Sequence, residues 1–208
     1  MHQPVLLNEI IEFLAPCPGG SYVDGTLGAG GHAEAILKAS SPDGRLFGFD
    51  LDEEAINFTQ AKLLIYGDRF RCWHAGYHQA LSILNSLGVK EVNGIVIDLG
   101  LSSDQLEDQQ RGFSFRFLGP LDMRFDKTQT NSAQHLLNDL SEIQLEQIIS
   151  DYGEEPRARK IAQRLKAAIG KGSLTNTYEL SEIILKSVGR KRGKIHPATR
   201  VFQALRIA

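Results

Sequence analysis

Three aspartates close short β-prone runs: Ser21-Tyr22-Val23-Asp24, Arg45-Leu46-Phe47-Gly48-Phe49-Asp50 and Gly94-Ile95-Val96-Ile97-Asp98. The first run leads into Gly25-Thr26-Leu27-Gly28-Ala29-Gly30-Gly31-His32. Glycines admit positive φ and a close backbone approach to a ligand, and the helix opening at His32 offers unpaired N–H groups. This strand, turn and helix suit a nucleoside-bearing cofactor. Gly28-x-Gly30-x-x-Ala33 also matches the dinucleotide fingerprint, a pattern common by chance. Asp50 follows Gly30 by 20 residues, the reach of an acid that binds ribose hydroxyls in either kind of site. Asp24 discriminates: a carboxylate there would repel a pyrophosphate but suits the cationic end of S-adenosylmethionine. The rest of a hydride-transfer apparatus is missing. An NAD-dependent oxidoreductase is the weaker enzyme reading, and a ligand-free structural turn the plainest alternative.

His32 can donate to a cofactor or cap its helix. Tyr77 follows Gly76 just past the third strand, where an adenine would lie, or it is a core aromatic. Asp98 ends the fourth strand beside the crevice in which open α/β sheets bind ligands. A buried carboxylate without a partner is costly, so an acid at that strand tip calls for a role. Asp98 is the candidate catalytic residue, facing cofactor and reacting group; capping the next turn is the structural alternative.

These positions need a scaffold of alternating elements. Helical apolar spacing over 32–39 and 53–66 (Ala55, Ile56, Ala61, Leu64 and Ile65 as the buried stripe), a strand at 70–74, a helix at 78–87 and the near-continuous apolar run at 94–98 predict βα units in a doubly wound parallel sheet covered on both faces. Residues 99–127 read as loop. Beyond Asn131 the pattern is helical: a capping box of Ser141 and Gln144, then helices over 157–169 and 177–188. The predicted fold is α/β, a Rossmann-like sheet with a helical subdomain.

The 208 residues suffice for one core, with a smaller domain attached. No apolar run has the length of a membrane span, and Met1-His2-Gln3-Pro4 lacks signal-peptide features. Two cysteines, far apart, predict neither a metal cluster nor a disulfide framework, and fit a reducing cytoplasm. The net charge of −2 conceals an asymmetry: residues 1–98 carry 6 basic against 12 acidic groups, and 156–208 carry 13 against 2. A basic end on a near-neutral protein fits either a polyanion partner or a solvated face.

Asp98-Leu99-Gly100-Leu101-Ser102-Ser103-Asp104-Gln105-Leu106, Arg111-Gly112-Phe113-Ser114-Phe115 and Pro120-Leu121-Asp122-Met123-Arg124 are motifs of high specificity. With Asp24-Gly25-Thr26-Leu27-Gly28, Tyr152-Gly153-Glu154-Glu155 and His196-Pro197-Ala198-Thr199-Arg200, the chain resembles over its whole length the bacterial ribosomal RNA small subunit methyltransferase H family, also called MraW. The resemblance implies a class I methyltransferase sheet, here only its first four strands, and S-adenosylmethionine-dependent methylation of cytosine N4 in 16S ribosomal RNA, within the small subunit. It implies cofactor contacts at Gly30, Gly31, His32, Asp50, Tyr77, Asp98 and Gln105. Tyr77 stands where Phe is common, Leu101 where Val is usual and Phe125 where Met is usual. Under this reading residues 1–127 form the cofactor core, 128–200 the helical RNA-recognition subdomain, and 201–208 begin a return to the core.

Substrate contacts are expected from Arg111, Phe113, Asp122 and Arg124, and from the basic run Arg190, Lys191, Arg192 and Lys194. Phe113, Phe115 and Phe117, interleaved with Arg111 and Arg116, suit base stacking and phosphate contact, or else anchor the helical subdomain. Asp122 and Arg124 suit a substrate contact or an internal ion pair. A non-catalytic RNA-binding module is a further alternative. Relatives of this kind continue past Ile207-Ala208, so the chain is expected to be a truncated form. Its fourth strand would be an apolar edge, and it should self-associate and lack turnover. Methylation by a monomeric preparation would overturn that expectation.

Overall fold

The computed structural model describes residues 4–189 and 196–208. The chain divides into two compact units, residues 1–102 and 103–208. The first unit runs α1 (Leu7–Leu14), β1 (Ser21–Asp24), α2 (Gly31–Ala39), β2 (Arg45–Asp50), α3 (Glu53–Lys62), β3 (Phe70–His74), α4 (Ala80–Ser86) and β4 (Gly94–Val96). The four strands are all parallel, in the order β3-β2-β1-β4. β1 pairs with β2 on one side and β4 on the other, so the strand order reverses at β1. A crevice for a ligand opens at such a point, outside the carboxyl ends of the strands.

The alternation of side chains along the strands builds two cores. Tyr22, Leu46, Phe70 and Val96 pack with Ala33, Ile36 and Leu37 of α2 and Ile56 of α3; Val23, Phe47 and Phe49 pack with Leu84 of α4. α3 is capped by Asp52, whose side chain accepts from the Glu54 N–H at 3.1 Å. It ends at Lys62, four residues short of the expected end, and its buried stripe is Ile56, Thr59 and Leu63. Leu64 and Ile65 are 75% and 85% exposed, because the chain tightens there into a 3-10 turn that passes through Gly67 at φ +54°. β4 has three residues rather than five. Ile95 and Ile97 are exposed instead of covered, and with Val23, Leu81, Leu84 and Val92 they line an apolar groove of about 220 Å³.

The second unit comprises α5 (Ser103–Glu107), α6 (Ala133–Asp139), α7 (Glu142–Asp151), α8 (Ala158–Gly170), α9 (Thr177–Val188) and α10 (Ala198–Ile207). Its core is made by Leu137, Leu145, Ile149, Ile161, Leu165, Leu180, Ile184 and Val201, all fully buried. The expected capping box closes α7: Ser141 Oγ accepts from the Gln144 N–H, and Gln144 Oε1 from the Ser141 N–H.

Residues 103–127 belong to this unit, not to the sheet unit with which the sequence reading grouped them. The reason is a set of hydrogen bonds to the start of α9. The Gly119 N–H donates to Thr177 Oγ1 at 3.0 Å, Thr177 Oγ1 to the Phe117 carbonyl at 2.7 Å, and the Thr177 N–H to the Gly119 carbonyl at 3.0 Å. Gly112, at φ +69°, lets the same loop cross itself: a Cβ there would sit 2.0 Å from the Pro120 oxygen. Residues 201–207 lie in α10, which packs on α6, α7 and α9. Among the described residues no helix is long and apolar enough to cross a membrane, and no three metal-ligating side chains cluster.

Ile161 is fully buried on α8, whereas Ile143 on α7 is 77% exposed. Ile161→Ala is expected to lower the stability of the helical unit by about 2–5 kcal/mol in chemical denaturation, and Ile143→Ala by less than about 0.5 kcal/mol.

Candidate functional site

The parallel order brings the carboxyl ends of β1, β2 and β4 to one end of the sheet. Asp24, at the tip of the central strand, is 1% exposed. Its Oδ1 accepts from the Thr26 N–H at 3.1 Å, while its Oδ2 is buried with no hydrogen-bond partner among the described residues. Burial pushes the Asp24 carboxyl up to about 6; the Thr26 N–H and His32 oppose the shift, and the nearby Asp50 and Asp98 carboxylates add to it. The three strand-tip acids therefore share one field, and the innermost holds an unused acceptor. That combination fits a cationic group and disfavours a pyrophosphate.

Asp50 organises the glycine turn. Its Oδ2 accepts from the Gly28 N–H at 2.8 Å and its Oδ1 from the Asp52 N–H at 2.9 Å. Burial still raises its carboxyl above the usual range. The turn is held elsewhere as well: the Leu27 N–H donates to the Phe49 carbonyl at 2.9 Å, Thr59 Oγ1 to the Gly28 carbonyl at 2.8 Å, and Lys62 Nζ to the Ala29 carbonyl at 3.0 Å. Gly30 takes φ +71° to enter α2, and a Cβ on it would meet the Thr59 Cγ2 at 2.5 Å. Gly31 begins α2 and faces Pro4, whose Cγ would lie 2.2 Å from an added Cβ.

His32 is buried, and its Nε2 donates to the Val5 carbonyl at 3.0 Å, which ties the N-terminal segment to the start of α2. Tyr77 is 46% exposed beside Gly25, where an added Cβ would contact the Tyr77 Cβ at 2.9 Å and the Ile97 Cγ1 at 3.1 Å. Asp98 is exposed, and its N–H donates to Thr26 Oγ1 at 2.7 Å. Gly28, Gly30, Gly31, His32, Asp50, Tyr77 and Asp98 thus gather around the ends of β1, β2 and β4. Gln105 lies half-buried in α5, in the other unit.

Two threonines of this site escape a search for acids and glycines. Thr26 fixes the Asp98 backbone, and Thr59 holds the turn from α3. A polar residue on the stripe of Ile56 and Leu63 was the available signal for Thr59.

The expected substrate contacts fare differently. Arg111 is 2% exposed and donates to the carbonyls of Arg124 at 3.2 Å and Phe125 at 2.9 Å. Phe113 is 5% exposed, with its ring 5.2 Å from that of Phe125. Both are interior to the helical unit and offer no surface to RNA, a correction to the sequence reading. Phe115 stacks on His196 at 4.4 Å and meets Phe202 edge-on at 5.2 Å, so these aromatics anchor helices. Asp122 and Arg124 form a two-bond internal ion pair, at 2.8 and 2.7 Å, which holds the Asp122 carboxyl below its usual range. Arg190, Lys191, Arg192 and Lys194 lie outside the described residues.

Comparison with known proteins places these features in a family. Over 209 aligned residues the chain is 46% identical to the ribosomal RNA small subunit methyltransferase H of Geobacter sulfurreducens, covering all of this chain and 67% of the relative. The protein of the same name from Thermomicrobium roseum is 45% identical, with all of this chain and 64% of the relative covered. That of Syntrophotalea carbinolica is 44% identical, with 99% of this chain and 66% of the relative covered. The chain thus spans about two thirds of the length of the curated relatives it matches. The model of the MraW methylase family matches residues 1–208, and the chain belongs to that family.

Proposed function

We propose that this chain is the cofactor-binding and part of the RNA-binding portion of an S-adenosylmethionine-dependent methyltransferase acting on the N4 amino group of a cytidine in 16S ribosomal RNA. The observation that carries the reading is the buried Asp24 oxygen, without a hydrogen-bond partner among the described residues, with the Asp50 and Asp98 carboxylates near it and a turn of glycines beside it. The names of the relatives, which are ribosomal RNA small subunit methyltransferases, support the substrate class.

In this reading Asp24 and Asp98 face the positive end of the cofactor, Asp50 receives the ribose hydroxyls, and Tyr77 offers its ring to the adenine. The backbone of Gly30 and Gly31 borders the ligand, with His32 behind it. S-adenosylmethionine, when bound, supplies an electrophilic methyl group on a sulfonium. The chain's own task is to prepare the nucleophile. The N4 lone pair of cytosine is delocalised into its ring, so an acceptor must bind the amino hydrogens and turn that lone pair outward. Asp98, exposed at its strand tip and fixed through Thr26, is the acceptor we assign, with carbonyls of the Gly100–Ser103 loop as the second. Alignment of the reacting atoms at about 3–3.5 Å then provides much of the rate. The base must leave its stack to reach the site. The 190–194 basic run is assigned to phosphate contacts.

Titration calorimetry is expected to give binding of S-adenosylmethionine and none of NAD; the reverse would overturn the assignment. In a chain extended to the length of its relatives, Asp98→Ala should abolish methylation of small-subunit RNA while RNA affinity changes little, and turnover at the level of the unsubstituted extended chain would remove Asp98 from the mechanism.

Asp24 carries a pH dependence. Its folded pKa, near 6, lies above the ordinary aspartate value, so its ionisation destabilises the free chain progressively as pH rises from about 4 to 6. A cation beside it favours the ionised form. Cofactor affinity should therefore hold above pH 6 and fall about tenfold per unit below it. Asp24→Asn should flatten that profile, weaken binding at pH 7, and gain in stability relative to wild type between pH 4 and 7.

A further inference from the structure

The segment 156–178 contains six basic residues and no acidic one. Most of it is α8, whose inner face is apolar: Ala158, Ile161, Ala162 and Leu165 are buried against neighbouring helices. All six cations therefore lie off that face, and they divide into two groups by what they touch.

Arg157, Arg164 and Lys166 are tied to the fold. Arg157 donates to the Val188 carbonyl and Arg164 to the Lys186 carbonyl, both in the last turn of α9. Lys166 Nζ donates to the carbonyls of Leu137 and Asn138 in the last turn of α6, at 2.9 and 3.0 Å. These are the carbonyls a helix C-terminus leaves without intrahelical partners, where cations are most favourable. Arg159, Lys160 and Lys171 do nothing of the kind. They are exposed, and their side chains have no hydrogen-bond or ion-pair partner among the described residues.

Ordinary solvated helix faces mix signs, with acids spaced three or four residues from bases. α8 has no acid to neutralise it or to repel an approaching anion. Lys160, Arg164 and Lys171, at i, i+4 and i+11, lie along one side of the helix, and the rise of about 1.5 Å per residue spreads them over about 16 Å. We infer that the outer face of α8, through Arg159, Lys160 and Lys171, is a docking surface for the phosphate backbone of the RNA substrate. The inference rests on the methyltransferase reading for the identity of the polyanion, and adds to it the surface that holds the polymer. The arginines tied to α9 keep the surface rigid, so the free cations meet the RNA on a helix that is already ordered.

The test is RNA binding by the chain as it stands, with transcribed 16S ribosomal RNA as probe, at several salt concentrations. Wild type and the triple variant Arg159→Ala, Lys160→Ala and Lys171→Ala are compared. The variant should bind at least about tenfold more weakly, and the slope of log affinity against log salt should fall in magnitude by about 2–3, close to one per lost phosphate contact. Lys160→Arg should retain binding, and Lys38→Ala, on the sheet unit, should leave affinity and slope unchanged. Equal affinity and equal slope in wild type and triple variant overturn the surface. Calorimetry with S-adenosylmethionine separates the two proposals: the triple variant should bind it as wild type does, and a wild type that fails to bind it overturns the functional reading instead.

Discussion

The site depends on an unfavourable burial. Asp24 sits at the end of the central strand, out of water, with one oxygen satisfied by the Thr26 backbone and the other by no group among the described residues. Burying a carboxylate without full hydrogen bonding costs several kcal/mol or is relieved by protonation. Two further acids at adjacent strand tips increase the cost. A fold keeps such a cluster only where the rest of the sheet over-determines it. Here β1 is flanked on both sides, its apolar residues are locked into cores above and below, and the glycine turn that follows is fastened to β2 and α3 by four hydrogen bonds.

The helical unit solves a different problem, that of gathering basic side chains toward one end, 13 against 2 acidic over residues 156–208, while remaining compact. Some of its cations are set against helix C-terminal carbonyls, where they stabilise rather than repel. Arg111, in the interior, satisfies loop carbonyls instead, those of residues 124 and 125. The unit is also closed by small residues where its chain crosses itself. Gly119, where an added Cβ would lie 2.2 Å from the Gln109 carbonyl oxygen, keeps the 103–127 loop against the helices.

Much of this was legible in the residues. Strand tips ending in acids, glycines after the first of them, and helical apolar spacing give the parallel sheet and the position of its crevice, since each signal is local and the periodicities differ. The misreadings share a physical cause. Leu64 and Ile65 continue the helical spacing of α3, but the 3-10 turn through Gly67 takes them off the buried face. Arg111 and Phe113 have the composition of an RNA contact, and composition does not reveal that a loop folds inward. The run at 94–98 reads as a covered strand, yet Ile95 and Ile97 are exposed, because coverage depends on elements distant in sequence. Thr59 went unnoticed for the same reason: its partner, Gly28, is 31 residues away.

Asp50 serves two masters. The carboxylate assigned to the ribose in the proposed function also fixes the Gly28 amide and the entry to α3 through Asp52. Removing it would loosen the glycine turn as well as the proposed sugar contact, and the two defects would arrive together. Position 50 is thus a poor reporter of hydroxyl selectivity, and analogues lacking single ribose hydroxyls, offered to the unaltered chain, are the cleaner way to read that preference.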